Sequence, residues 1–258
     1  MPAAAITLFA AAGLLAGGAL NAVALRWDPR LTAAYPPVYC PDGHRSGGGT
    51  LRWLPLLPAA ANGCRCRTCG RRLPWRYPLA EAGCALLYAL AAAINGSHAE
   101  LFAALLLISV LLIIVQTDLS AMTIPNRVVA AGIIAAALLR LFAHPLPLAN
   151  YGMAALAGSG FLLGIGWIGG LITGKETVGG GDIKLYLFLG LVLGIKLTLL
   201  SLFLAALSGL AAGLTARMLG RQEAGRAIPF GPYIALGALL AYWWGDSWIS
   251  GYLVLAGL

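Results

Sequence analysis

Charge is what this sequence has least of. Of its 258 residues, nine are acidic, seventeen are basic and three are histidine, so charged side chains make up only 10% of the chain. Hydrophobic residues supply 60% and the mean hydropathy is +0.85. Soluble domains carry about a quarter of their residues charged, so that class is excluded and a polytopic membrane protein, embedded in a lipid bilayer, is expected. A nucleotide-binding G-x-G-x-x-G after a strand is also missing. So are a basic n-region and a convincing A-x-A site near the start, so Met1 to Leu25 read as a retained first helix rather than a cleaved signal. The net charge of +8 does not point to nucleic acid, because the basic residues lie in loops between apolar runs.

What is present is a series of bilayer-length runs. Residues 3–25 form the first. Residues 26–78 are the one long polar stretch, rich in Pro, Gly and Arg, and read as a small extramembrane loop domain. Apolar runs follow at about 79–95, 100–118, 127–143, 149–173, 183–195, 197–217 and 230–256. The expectation is an all-α membrane helix bundle of about eight segments, the sixth short for a full crossing and its boundary near Lys196. If the 26–78 loop is cytoplasmic, alternating crossings put 119–127, 174–184 and 217–228 on the same side. Fifteen of the seventeen basic residues then fall on that face, with only Arg140 and Lys196 towards the other. The positive-inside rule makes that face cytoplasmic. The same count places Asp118, closing the third run, and Asp182, opening the sixth, on one face.

Acidic residues are scarce enough that these two stand out. Peptide hydrolysis without a nucleophilic side chain needs one carboxylate to activate water and a second, protonated, to polarise the carbonyl. Two carboxyls held close share a proton and fill both roles. The glycines Gly179, Gly180 and Gly181 before Asp182 permit close backbone approach. The bland alternative is a flexible link with Asp182 as a helix N-cap and Asp118 as an interfacial residue. Lys184 is either a snorkelling lysine or electrostatic support for the pair.

Neighbouring residues sharpen this. Asp118 to Asn126 (DLSAMTIPN) resembles the D-x5-I-P-[ND] signature of the type IV prepilin peptidases. Val178 to Lys184 (VGGGDIK) is similar to their G-x-G-D-x-K motif, with Gly179, Gly181, Asp182 and Lys184 matching. Ile228 to Tyr233 (IPFGPY), Tyr77 to Glu81 (YPLAE) and Gly18 to Val23 (GALNAV) resemble three further family segments, in the family's order. The resemblance implies a G-x-G-D aspartic endopeptidase of the bacterial inner membrane. Such enzymes cut the basic leader from type IV prepilins and pseudopilins at the cytoplasmic face. It implies Asp118 and Asp182 as the catalytic pair, with Gly179, Gly181, Lys184, Pro125 and Asn126 in support or substrate binding. Residues 79–99 then form the second helix with its external loop, and 100–258 the peptidase domain. Which aspartate acts as base stays open, because a coupled pair titrates as a unit.

The family's loop commonly carries two C-x-x-C pairs resembling a zinc site. Here Cys66 and Cys69 make one pair, while Cys40 stands without the second cysteine of the other. Tetrahedral zinc needs four ligands, so Cys40, Cys66 and Cys69 are expected to bind with either His44 or Cys64 as the fourth. A cytoplasmic loop favours metal over disulfide. Members that methylate the new N-terminus with S-adenosylmethionine usually carry Gly-Lys before the second C-x-x-C. Cys64 and Arg65 stand there in this chain, which makes Arg65 the position matched to that cofactor. Rival readings are a proton-coupled transporter, whose carboxylates sit near the midplane of broken helices, and an assembly scaffold with structural aspartates.

Overall fold

The computed structural model describes residues 2–25, 65, 69–70, 72, 75–95, 99–174, 177–220 and 229–257. Eight helices lie among these: α1 (Ala3–Ala24), α2 (Arg76–Asn95), α3 (Ala99–Ala121), α4 (Asn126–Phe142), α5 (Leu148–Thr173), α6 (Gly180–Leu193), α7 (Ile195–Met218) and α8 (Gly231–Ala256). Five of them, α1, α2, α3, α5 and α7, are long and apolar enough to cross a membrane. With 14 residues α6 reaches about 21 Å at 1.5 Å per residue, short of a hydrocarbon core of about 30 Å. Helix α8 is long, but its Tyr242 to Trp248 stretch, with Asp246 inside, lowers its hydropathy. Large apolar side chains face outward, among them Phe102, Leu156, Phe161, Trp167 and Phe203. In water such a surface would drive aggregation; here it is what lipid-facing helices of a multi-pass membrane protein present.

The chain divides into two compact units, Met1–Thr123 and Ile124–Leu258. In the first, α1, α2 and α3 pack on one another. Glycine makes this possible: a Cβ on Gly13 would lie 2.8 Å from Ala85 Cα, and one on Gly17 would lie 2.9 Å from Glu81 Cα. Spaced four apart, the two glycines form a flat strip that lets the helix backbones meet, the usual device where lipid provides no hydrophobic drive. The core of this unit is polar at one point. Asn21 Nδ2 donates to Tyr77 O at 3.0 Å and to Glu81 Oε1 at 3.3 Å, and Gln116 Nε2 donates to Asn21 Oδ1. Asn21 and Glu81 are fully buried and Gln116 nearly so. One network therefore ties all three helices together.

In the second unit α6 is central, packing on α4, α5, α7 and α8. Its Leu185, Tyr186, Phe188 and Leu189 are completely buried. A Cβ on Gly190 would fall on the backbone of Ala155, so α5 and α6 touch main chain to main chain. Gly237 does the same for α7 and α8, where a Cβ would lie 2.7 Å from Ser201 O. Gly194, at φ 73 and ψ 172, ends α6, and α7 starts at the next residue. The break expected near Lys196 thus falls two residues earlier, at the only position in that apolar run whose backbone most side chains avoid.

Candidate active site

Asp182 lies in the first turn of α6. Gly179 caps that helix with extended backbone (φ −66, ψ 133), and its carbonyl accepts the Asp182 N–H at 3.0 Å. The three glycines are not equivalent. A Cβ on Gly179 would stand 3.3 Å from Asp182 Oδ2, so the carboxylate folds back over a residue without a side chain. A Cβ on Gly181 would lie 2.8 Å from Ile124 Cβ. Around Gly180 there is open space. The spacing of the matched glycines, with a free position between them, therefore has a steric cause. Asp182 itself is half-buried, within reach of solvent and of a reactant.

The Ile124-Pro125-Asn126 segment meets this turn residue by residue. Ile124 is buried against Gly181. Pro125 caps α4, its fixed φ of −69 suiting a helix start, and its carbonyl accepts the N–H groups of Val128 and Val129. Asn126 Oδ1 accepts a hydrogen bond of 3.1 Å from Lys184 Nζ, both residues being exposed. The approach to Asp182 is seated on α5: Thr177 Oγ1 donates to Gly166 O at 3.2 Å, and Val178 packs where Gly166 lacks a side chain. Phe230, from the third matched segment, lies over Gly209 of α7, where a Cβ would come within 2.9 Å of its ring. The structure thus brings together Gly179, Gly181, Asp182, Lys184, Pro125 and Asn126 in the second unit.

Asp118 belongs to the first unit. It lies in the last turn of α3 and is 7% exposed. Its carbonyl accepts the N–H of Met122 at 2.9 Å, and Met122 has φ 50, a left-handed backbone that stops the helix there. The preceding Thr117 turns its hydroxyl back to Ile113 O and Ile114 O, the usual recourse of a buried threonine in a helix. Along the chain, Asp118 stands six positions before Ile124.

Two features escaped the sequence reading. Gln116 joins Asn21 and Glu81 just ahead of Asp118; its signal was a lone amide in the apolar run LLIIVQTD. Arg140, counted only as a basic residue of the far face, is 3% exposed inside the second unit. Of the expected metal ligands, Cys40, His44, Cys64 and Cys66 lie outside the described residues. Cys69 is exposed. Arg65 and Arg72 form an isolated antiparallel bridge around it, and Gly70 has φ 70. Among the described residues no three His, Cys, Asp or Glu side chains cluster as a metal site.

Comparison with known proteins matches two stretches of the chain. The type IV leader peptidase family matches residues 105–214, and the bacterial peptidase A24 N-terminal domain matches residues 11–94. A prepilin leader peptidase/N-methyltransferase of Bacillus subtilis is 34% identical over 95% of this chain and 96% of its own length. One of Pseudomonas putida is 32% identical over 99% and 96%, and one of Pseudomonas aeruginosa is 33% identical over 86% and 76%. No solved structure matches.

Proposed function

The chain belongs to the type IV leader peptidase family, and from that premise we propose that it is a membrane aspartic endopeptidase. It removes the basic leader of type IV prepilins or pseudopilins, with Asp118 and Asp182 as the catalytic pair. The observation that carries this reading is the join between two matched segments: Gly181 against Ile124 and Lys184 on Asn126. All four residues so joined are those whose types the motifs require.

The chemistry uses one ionised and one protonated carboxyl. The ionised one takes a proton from water as its oxygen attacks the scissile carbonyl, and the protonated one donates a hydrogen bond to the carbonyl oxygen. The tetrahedral adduct then breaks its C–N bond as a proton passes to the departing amine. Lys184, held by Asn126, gives the first turn of α6 a cation two residues after Asp182, the electrostatic support this reading assigns to it. Carboxylates in the last turn of one helix and the first turn of another suit a peptidase at a membrane surface better than a transporter, whose charged sites lie at the midplane. The basic residues gathered on that face argue that it is cytoplasmic and the membrane the bacterial inner membrane.

We assign the 26–78 loop a structural zinc held by Cys40, Cys66 and Cys69 with His44 or Cys64. The pairing of Arg65 with Arg72 supports it, since the two arginines bracket the second C-x-x-C in the sequence and are held together. So short a loop has little room for a core of its own, and a metal clip would stabilise it. The relatives' second activity gives a further step. S-adenosylmethionine, if bound, would supply the methyl group of its sulfonium to the freed α-amine of the product, leaving S-adenosylhomocysteine and a proton. Arg65 is the candidate contact for that cofactor. Incubating membranes with a prepilin, with and without S-adenosylmethionine, followed by mass analysis tests both activities. Loss of the leader mass is expected in both samples and a gain of one methyl only in the second; an intact prepilin would refute the peptidase reading.

A further inference from the structure

Helix α6 carries Asp182 at one end and stops short at the other. At about 21 Å it cannot span the hydrocarbon core, so its last carbonyls end where water is scarce. Backbone acceptors left open at such depth are costly. The structure closes them with Arg140. Its Nη2 donates to Val192 O at 2.6 Å and its Nε to Leu191 O at 3.3 Å, while Nη1 donates to Ala143 O at 3.1 Å. The guanidinium lies 4.6 Å from the centroid of the Tyr151 ring. A cation at the C-terminus of a helix also meets the negative end of its dipole.

The start of α7 is held in the same place. Asn150 Oδ1 accepts the Ile195 N–H at 3.0 Å, and a Cβ on Gly194 would lie 2.8 Å from that oxygen. The break between α6 and α7 is thus a built junction, gripped by an arginine from the end of α4 and an asparagine from the start of α5. A buried arginine is retained in a membrane protein only where it has partners and a task. Lysine could not do this one, because it lacks the planar fork that reaches two successive carbonyls.

We propose that Arg140 is a positioning residue for Asp182, fixing the depth and rotation of α6 from its far end. A slip of one residue in α6 would move the aspartate about 1.5 Å along the axis and turn it by about 100°. Arg140 prevents that slip by holding the carbonyls of Leu191 and Val192. The inference rests on the catalytic role proposed for Asp182, and the test separates the two.

Arg140→Ala and Arg140→Lys are prepared beside the unaltered protein and Asp182→Asn. Each is measured for prepilin cleavage and for hydrogen–deuterium exchange of the α6 amides. For Arg140→Ala, kcat should fall roughly 10- to 100-fold, the scale on which small misplacements of a reacting group act, with KM near its original value. Exchange should rise along all of α6, including Gly180 to Tyr186. Arg140→Lys, which keeps the cation and loses the fork, should lie between, and it carries the same readings if the alanine variant does not accumulate. The proposal is overturned if folded variants keep the original kcat, or if faster exchange is confined to the last turn around Leu191. Cleavage by Asp182→Asn would sink the catalytic reading instead, while the exchange pattern would still report whether Arg140 holds α6.

Discussion

Gly181 and Ile124 are fitted to each other: a side chain on the glycine would begin 2.8 Å from Ile124 Cβ. Ile124 is buried and branched at that atom, so it cannot step aside by a simple rotation about its side chain. Gly181→Ala should therefore move the first turn of α6 or the start of α4, at a cost of about 1–3 kcal/mol, typical of overpacking. Gly180→Ala, one residue away, meets open space and should cleave prepilin normally. Parallel cleavage rates for the two alanine variants check this; equal loss in both would mean that flexibility rather than fit explains the glycines.

Lys184 and Asn126 form the second link, in an exposed place. Because solvent screens such contacts, their coupling should be below about 1 kcal/mol in stability. The effect should appear in catalysis. Lys184→Ala and Asn126→Ala should each lower kcat/KM, and the double variant should be little worse than Lys184→Ala alone. Strictly multiplicative losses would show that the two side chains act independently.

The buried network of the first unit makes a stability prediction. Asn21→Ala removes the shared partner of Glu81 and Gln116 and should destabilise by about 1–3 kcal/mol, the penalty for buried polar groups that lose a hydrogen bond. Glu81→Gln keeps an acceptor oxygen for the Asn21 amide and should be milder than Glu81→Leu. Thermal unfolding of the detergent-solubilised variants orders them. If Glu81→Leu proved the most stable of the series, the network would contribute nothing to holding α1, α2 and α3.

Metal content tests the loop. The purified protein should hold about one equivalent of zinc, and replacing Cys66 and Cys69 should remove it. Replacing His44 and Cys64 one at a time then identifies the fourth ligand, since only one of the two should release the metal.

Much of this architecture was legible beforehand. Apolar runs are a strong signal, and the eight expected segments lie within a few residues of the eight helices among the described residues, of which five are long and apolar enough to cross a membrane. The glycine–aspartate motif and the I-P-N segment were visible as patterns. Their fit was not, because contact between Gly181 and Ile124 joins positions 57 residues apart in the chain. Arg140 was misjudged for a related reason. Charge counting sorts residues by side of the membrane, and it says nothing about an arginine that turns inward to carbonyls on another helix. Gln116 stood out as polar, but only packing of α3 against α1 reveals Asn21 as its partner.

The central claim is that Asp118 and Asp182 act as one catalytic unit, and quantitative prepilin cleavage by Asp118→Asn, Asp182→Asn and the double variant tests it most directly. Each single change should abolish detectable cleavage while the protein remains folded, and the double variant should be no worse, because residues acting together lose their contribution together. Retained cleavage in either single variant would contradict the account.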